Sequence, residues 1–245
     1  MRRVQYITST KSSKRKLGKV TVILLYHSFV PKMKSFGNIA MIPISKNHRL
    51  IDRHIASIKH AIKDFDLIIS SGYDSKRVQK YVYQKYGDLD VRCVENIIYE
   101  DSNICESIRI AINNTKNENI LIVNGNFLFE SQDLEDMIKN GYGTIVSTSK
   151  KNKTLDIGVN VNDQDSGLEH ISYGSSGNGW CEILYVNKKT IVNEMKKILE
   201  GDTFRTKIFY ELINNMIKKN IKINCHKTSS KIVKISNLNY RKEEI

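Results

Sequence analysis

Apolar positions along the chain switch between short β-branched runs and stretches with helical spacing. Val20–Tyr26 is almost continuously apolar, the mark of a strand buried on both faces. Leu50, Ile51, Ile55, Ile58 and Ile62 then recur at helical intervals and predict an amphipathic helix over Leu50–Lys63. Asp66–Ser70 reads as a second strand, ended by Gly72, and Asp74 is placed to cap a helix running through Tyr86. Val91–Val94 is a third strand, and Ser102–Asn114 is helical with Ile104, Ile108 and Ala111 on one face. Asn119–Val123 is a fourth strand, leading into Asn124-Gly125-Asn126. A helix over Asp133–Lys139 and a strand over Gly143–Ser149 complete the alternation. Strand and helix in turn specify an α/β fold, a mostly parallel sheet with helices on both faces.

The rhythm changes after residue 150. Leu155–Val161, Leu168–Tyr173 and Trp180–Val186 read as strands without helices between them, hence as antiparallel additions at the sheet edge. Helices over Lys188–Leu199 and Phe204–Lys219 follow, then late strands at Ile221–Cys225 and Ile232–Ile235. In open α/β sheets the ligand site lies at the carboxyl ends of the strands. Here that points to His27–Lys46, the turn at Gly72, Glu95–Asn103 and Asn124–Asn126.

Composition changes this picture in two places. The chain has 245 residues and two prolines, so one domain over 20–245 is expected, with no proline-rich linker. The formal charge is +13. Residues 1–19 form a basic arm holding Arg2, Arg3, Lys11, Lys14, Arg15, Lys16 and Lys19 with no acid, and Lys150, Lys151 and Lys153 make a second basic run. Such charge favours acidic partners, namely nucleic acid, phosphorylated ligands or an acidic protein surface; solvated lysine in an AT-rich coding sequence, as in a virus or phage, gives the same excess. Arg2, Arg3, Lys14, Arg15 and Lys16 are the candidates for contact with such a partner. Cys93, Cys105, Cys181 and Cys225 show no zinc spacing and are expected to be buried thiols in a reducing compartment. No apolar run is long enough to span a bilayer or serve as a leader, which gives the expectation of a cytoplasmic protein (or a virion component) with no membrane partner.

The residues at the strand ends resemble the sugar-phosphate and choline-phosphate nucleotidyltransferases. "MIPISKNHRLIDRHIASIK" is similar to the family's segment after its glycine-rich loop, and "DLIISSGYDSKRVQKYV" to its second strand, turn and helix. "VENIIYEDSNICESIRIA" resembles the choline-phosphate group's tyrosine–asparagine–serine stretch, "ILIVNGNFLFE" the strand ending in Asn-Gly-Asp, and "KISNLNY" the late acidic element. The resemblance runs from about Val20 to Asn187 and implies a Rossmann-like sheet of the GT-A type. It marks Lys32, Lys34, Gly37, Gly72, Asn103, Gly125 and Asn126 as candidates for nucleotide or phosphate binding.

The departures bear on chemistry. The family's first loop is rich in glycine so that backbone N–H groups can approach a triphosphate. Here it reads "YHSFVPKMKSFGNIAMIPI", with Gly37 its one glycine and Ile39 where the family places a lysine. The carboxylate that would hold Mg²⁺ after the fourth strand is replaced by Asn126, and its late partner falls at Ser236 or Asn237. Without metal, attack on the α-phosphate loses its main charge stabilisation.

Each candidate also has an ordinary structural role available. Gly125 can serve a turn, Asn103 can cap a helix, Lys32 and Lys34 can be solvated, and Trp180 can anchor the core or close over a ligand. No catalytic residue, metal ligand set or cofactor is assigned. The reading is a degenerate nucleotidyltransferase-like protein that binds a nucleotide, nucleic acid or protein, as in a viral or phage assembly. The alternative is an active nucleotidyltransferase or nucleotide-sugar glycosyltransferase with a relocated Mg²⁺ site, for which Glu95, Asp101 and Asp156 are the acids at hand.

Overall fold

The computed structural model describes residues 18–27, 35, 37–141, 143–147, 157–162, 164–174 and 178–235. Residues 1–17 of the basic arm, Lys32, Lys34, Lys150–Lys153, Asp156, Ser236 and Asn237 lie outside them, while Lys19 at the end of the arm is described and pairs with Asp90 at 2.7 Å.

The strands are β1 (Val20–Tyr26), β2 (Phe65–Ser71), β3 (Val91–Glu95), β4 (Asn119–Asn124), β5 (Phe127–Leu128), β6 (Gly143–Ser147), β7 (Ile157–Val161), β8 (Leu168–Tyr173), β9 (Asn178–Val186), β10 (Asn224–Thr228) and β11 (Val233–Lys234). The helices are α1 (Leu50–Ala61), α2 (Ser75–Tyr86), α3 (Ile104–Asn113), α4 (Ser131–Asn140), α5 (Lys189–Leu199) and α6 (Phe209–Lys218), with 3-10 turns at Ile39–Met41 and Asp202–Thr206. The main sheet runs β10-β6-β9-β4-β1-β2-β3, with β7 and β8 attached beside β9. β1 pairs in parallel with both β2 and β4.

Alternation along β1 divides the core. Val20, Val22, Leu24 and Tyr26 face a layer built with α1, α2 and α4. Ile23 and Leu25 face the opposite layer, built with α3, α5 and α6. Successive strand side chains point to opposite faces, so an apolar run in β1 is what covering both faces demands.

The antiparallel strands differ from the expectation of edge additions. β9 runs antiparallel inside the sheet, between β4 and β6, and only β7 and β8 sit to its side. The apolar stretch Ile183–Val186 is buried on both faces, Ile183 and Tyr185 in the layer of α1, α2 and α4 and Leu184 and Val186 in that of α3, α5 and α6. Two boundaries also move, and one expected cap is absent. The expected helix over Phe204–Lys219 begins at Phe209, where the Glu211 carboxylate accepts from the Ile208 N–H at 3.0 Å; residues 202–206 form a 3-10 turn instead. The late strand lies at Asn224–Thr228 rather than Ile221–Cys225. Asp74 does not cap α2: it adopts φ +52°, and its carboxylate lies 3.6 Å from the Arg77 guanidinium.

All four cysteines remain thiols, with Cys105, Cys181 and Cys225 buried. Among the described residues no helix is long and apolar enough to cross a membrane.

Candidate functional site

β1 connects towards β2 on one side and has β4 on the other, so the strand order reverses between β1 and β4. A doubly wound sheet opens a crevice at the carboxyl ends of such a pair. A cleft of about 240 Å³ occupies that position, lined by His27 after β1, Asn124 and Asn126 after β4, Glu182 and Trp180 of β9, Asn103 at the start of α3, and Lys234 of β11.

The turn after β4 is pinned on both sides. Gly125 N–H donates to the Leu25 carbonyl at 2.9 Å, Ile235 N–H donates to the Asn126 carbonyl at 2.8 Å, and Asn126 N–H donates to Asn124 Oδ1 at 3.2 Å. A Cβ at residue 125 would lie 2.3 Å from Tyr26 Cε1, which restricts that position to glycine by packing. Beneath it Tyr26 Oη lies 2.6 Å from His54 Nδ1, and His54 Nε2 lies 2.7 Å from the Phe127 carbonyl. The carbonyl can only accept, so Nε2 carries the proton and Nδ1 accepts from the tyrosine hydroxyl. Burial holds His54 down to about 4, so it is neutral in the working pH range.

Asn103 is the N-cap of α3, its Oδ1 accepting from Ile104 N–H at 2.8 Å. The next donors at that helix end are covered by the chain itself. Asn103 N–H donates to the Arg205 carbonyl at 2.7 Å and Cys105 N–H to the Lys207 carbonyl at 3.2 Å. The segment before α6 thus takes the N–H groups that an anion would otherwise use. His27 Nδ1 lies 3.2 Å from Ser107 Oγ, and burial lowers its pKa.

The described end of the loop after β1, Asn38–Ile42, packs down onto the molecule. Asn38 Nδ2 donates to the Tyr26 and Tyr73 carbonyls at 2.9 and 2.7 Å, and Ile39, Ala40, Met41 and Ile42 are buried. Gly37 has φ +81°, with Asp74 and Arg77 against its α-carbon, while Gly72 is closed in by the His27 carbonyl and Tyr99. Of the sequence candidates with described positions, Asn103 and Asn126 line the cleft; Gly37, Gly72 and Gly125 do not, each being packed against neighbouring chain. Glu95 and Asp101 are exposed and line no part of it.

The residue missed in the sequence is Glu182. It is 7% exposed, it sits at a register shift where β9 passes β6, and its φ is +50°. Asn124 Nδ2 donates to Glu182 Oε2 at 2.6 Å, which aims the carboxylate across the end of β4. A charged residue inside the run Cys181–Val186 was a usable signal, since an acid is rarely buried without purpose. Trp180 serves as both anchor and wall: it is 1% exposed, lies against Phe209, donates from Nε1 to Thr144 Oγ1 at 2.8 Å, and lines the cleft.

The family resemblance implies Mg²⁺, and the donor set is a poor match for it. Asn126 offers an amide where a hard cation wants a carboxylate. Among the described residues no group of three His, Cys, Asp or Glu side chains could hold a metal ion.

No family model matches the chain, and no curated protein does. Solved structures do match it over nearly its whole length. The inositol-1-phosphate CTP transferase from T. maritima has a TM-score of 0.72 at 15% identity, covering 89% of this chain and 90% of that one. The CTP:phosphocholine cytidylyltransferase from Streptococcus pneumoniae has 0.70 at 18%, covering 92% and 98%. A UDP-glucose pyrophosphorylase complexed with UDP-glucose has 0.71 at 10%, covering 91% and 95%. The chain therefore has the fold of these nucleotidyltransferases, a Rossmann-like, mostly parallel sheet with its cleft at the switch point between β1 and β4.

Proposed function

We propose that this chain is a nucleotidyltransferase-like protein that holds a nucleotide-type ligand at the switch-point cleft without carrying out metal-dependent nucleotidyl transfer. Asn126 carries this reading. Its backbone is fixed by hydrogen bonds from both sides, and it lines the cleft with an amide. An amide oxygen has no net charge, so it neither anchors Mg²⁺ strongly nor offsets the charge that builds on a reacting phosphate. The covered N-terminus of α3 and the turn at Asn38–Ile42 support the same reading, because the N–H groups of Asn103 and Cys105, and those of Ala40, Met41 and Ile42, donate within the chain.

The test is calorimetric titration of CTP and UTP with and without Mg²⁺, alongside an assay for pyrophosphate release with glucose 1-phosphate or phosphocholine. CTP and the two acceptors appear in the names of structural neighbours, and UTP is the triphosphate corresponding to the UDP-glucose of another. We expect nucleotide binding that changes less than threefold on adding Mg²⁺, and no pyrophosphate. Asn126→Asp should make binding tighten with Mg²⁺ by about tenfold, the size of one added charge-assisted contact. Metal-dependent binding and pyrophosphate release by the unaltered protein would overturn the proposal. That outcome would favour the reading as an active transferase with a relocated metal, whose acid would then be Glu182 rather than Glu95 or Asp101.

A further inference from the structure

His27 meets the protein interior through one ring nitrogen and leaves the other for the cleft. Nδ1 lies 3.2 Å from Ser107 Oγ of α3. Nε2 has no partner among the described residues, it is not shut away from solvent, and His27 lines the cleft. Which nitrogen carries the proton decides whether a ligand meets a donor or an acceptor here. In a neutral imidazole that is set by the hydrogen bond the other nitrogen makes.

A chain of side chains settles the choice. It starts at Asn96, fully buried just after β3. Asn96 Oδ1 accepts from Ile98 N–H at 3.2 Å, which fixes the amide: turned over, it would set two N–H groups against each other. Asn96 Nδ2 therefore faces two serines, donating to Ser102 Oγ at 2.9 Å and to Ser107 Oγ at 3.2 Å. Ser107 is fully buried, so its own hydroxyl hydrogen needs an acceptor. Among the described residues the one acceptor bonded to that hydroxyl is His27 Nδ1. Nδ1 then accepts, and the ring proton sits on Nε2. Burial lowers the pKa of His27, so the ring is neutral at pH 7 and above. Asn103 acts in the same sense, because its Oδ1 is taken by Ile104 N–H and its Nδ2 remains to donate. A few placed polar groups of this kind orient a ligand in a pocket.

We propose that Asn96 and Ser107 are positioning residues that hold His27 as the Nε2–H tautomer, and that His27 donates from Nε2 to an oxygen of the bound ligand. His27 then determines specificity, selecting an acceptor at this point of the cleft. The proposal rests on the nucleotide reading given above and adds to it a residue, a tautomer and the sign of the hydrogen bond. The accepting oxygen belongs to the nucleoside or to a phosphate, and a short ligand series separates the two.

The full chain is titrated calorimetrically with CTP and with cytidine, beside His27→Gln, which sets an amide N–H where Nε2 stands, and His27→Leu, which removes the donor at similar size. His27→Leu should bind CTP about fivefold more weakly or worse, and His27→Gln within about threefold of the unaltered protein. A loss that cytidine shares puts the oxygen on the nucleoside; a loss that cytidine does not share puts it on a phosphate. Long-range ¹⁵N–¹H spectra of the ring, with His27 assigned by its absence from His27→Gln, should show the proton on Nε2 at pH 7.5. Ser107→Ala, which removes the hydroxyl, should move part of the population to Nδ1–H. Asn96→Asp, whose carboxylate can only accept, should turn the Ser107 hydroxyl away from His27 and move the proton the same way. A serine and an asparagine with purely structural roles would leave that readout alone. A proton on Nδ1 in the unaltered protein, or one unmoved in both Ser107→Ala and Asn96→Asp, overturns the positioning role. CTP binding by His27→Leu as tight as by the unaltered protein, or by His27→Gln as weak as by His27→Leu, overturns the donor and leaves the nucleotide reading standing. If CTP does not bind the unaltered protein, both fall.

Discussion

His54 shows how far single residues set the stability of this site. It is fully buried, neutral, and bonded at both ring nitrogens between Tyr26 of β1 and the Phe127 carbonyl of β5. Burial depresses its pKa from 6.5 to about 4. Between those values the unfolded chain binds a proton that the folded chain refuses, so stability is complete above pH 6.5 and lost as pH falls towards 4. The loss should amount to about 3 kcal/mol. His27, also lowered by burial, adds to it in the same direction. Asp52 acts in a lower range: burial works against its charge, but hydrogen bonds from Tyr81, Tyr86, the Arg49 N–H and Lys85 outweigh this and hold its pKa below 3.8. Thermal melts at pH 7.5 and 4.5 should therefore separate, and His54→Phe should remove most of the separation. That variant should also be destabilised by about 2–4 kcal/mol at neutral pH, because the Tyr26 hydroxyl and the Phe127 carbonyl lose their partner. An unchanged pH profile in His54→Phe would exclude His54 as its source. Asn126 was readable in the sequence because Asn124-Gly125 and Phe127–Phe129 bracket it. Glu182 gave part of its signal, a charge inside an apolar strand, but nothing in Cys181-Glu182-Ile183 announces its left-handed backbone.

Among the elements, the long ones were legible and the short ones were not. The strand cores and helices from Val20 to Asn140 lie within one to three residues of their expected positions, since each has an apolar face long enough to show a period. β5 and β11 have two residues each and no period to detect. β10 was displaced in the reading because Ile221 and Ile223 are packed with the α3–α5–α6 layer yet precede the residues that pair with β6. Helix ends followed local chemistry in one case and departed from it in another. Asn103 caps α3 as its side chain allows, whereas Asp74 gives its carboxylate to Arg77. Asn103→Ala should cost about 1 kcal/mol by removing the cap bond, with a fall in Tm of about 2–4 °C. The backbone bonds from Asn103 and Cys105 to Arg205 and Lys207 do not depend on the side chain, so that helix end should stay closed. Hydrogen exchange at Asn103 and Cys105 should therefore remain slow in the variant; fast exchange there would show that the cap, and not the segment before α6, keeps the site shut.

At the scale of the whole molecule, charge and fold carry separate information. The alternation of strands and helices was enough to give the sheet and its layers, and the strand order then placed the cleft between β1 and β4. The charge of +13 entered none of those steps. Net charge acts instead on association, through long-range attraction of polyanions and release of their counterions. The two properties should therefore be separable by substitution. Arg2, Arg3, Lys14, Arg15 and Lys16 hold five of the positive charges in the basic arm. Changing all five to alanine should weaken binding to a short DNA duplex and reduce the slope of log K against log salt, by up to about 4.5 if each meets one phosphate. If the arm takes no part in the cleft, CTP binding should stay within about twofold, because the cleft residues His27, Asn126 and Glu182 are untouched and independent sites contribute additively. Anisotropy with labelled duplex at several salt concentrations, run beside the CTP titration, measures both. A parallel loss of the two affinities would show that arm and cleft act on one ligand, and an unchanged salt slope would assign the charge of the arm to solvation alone.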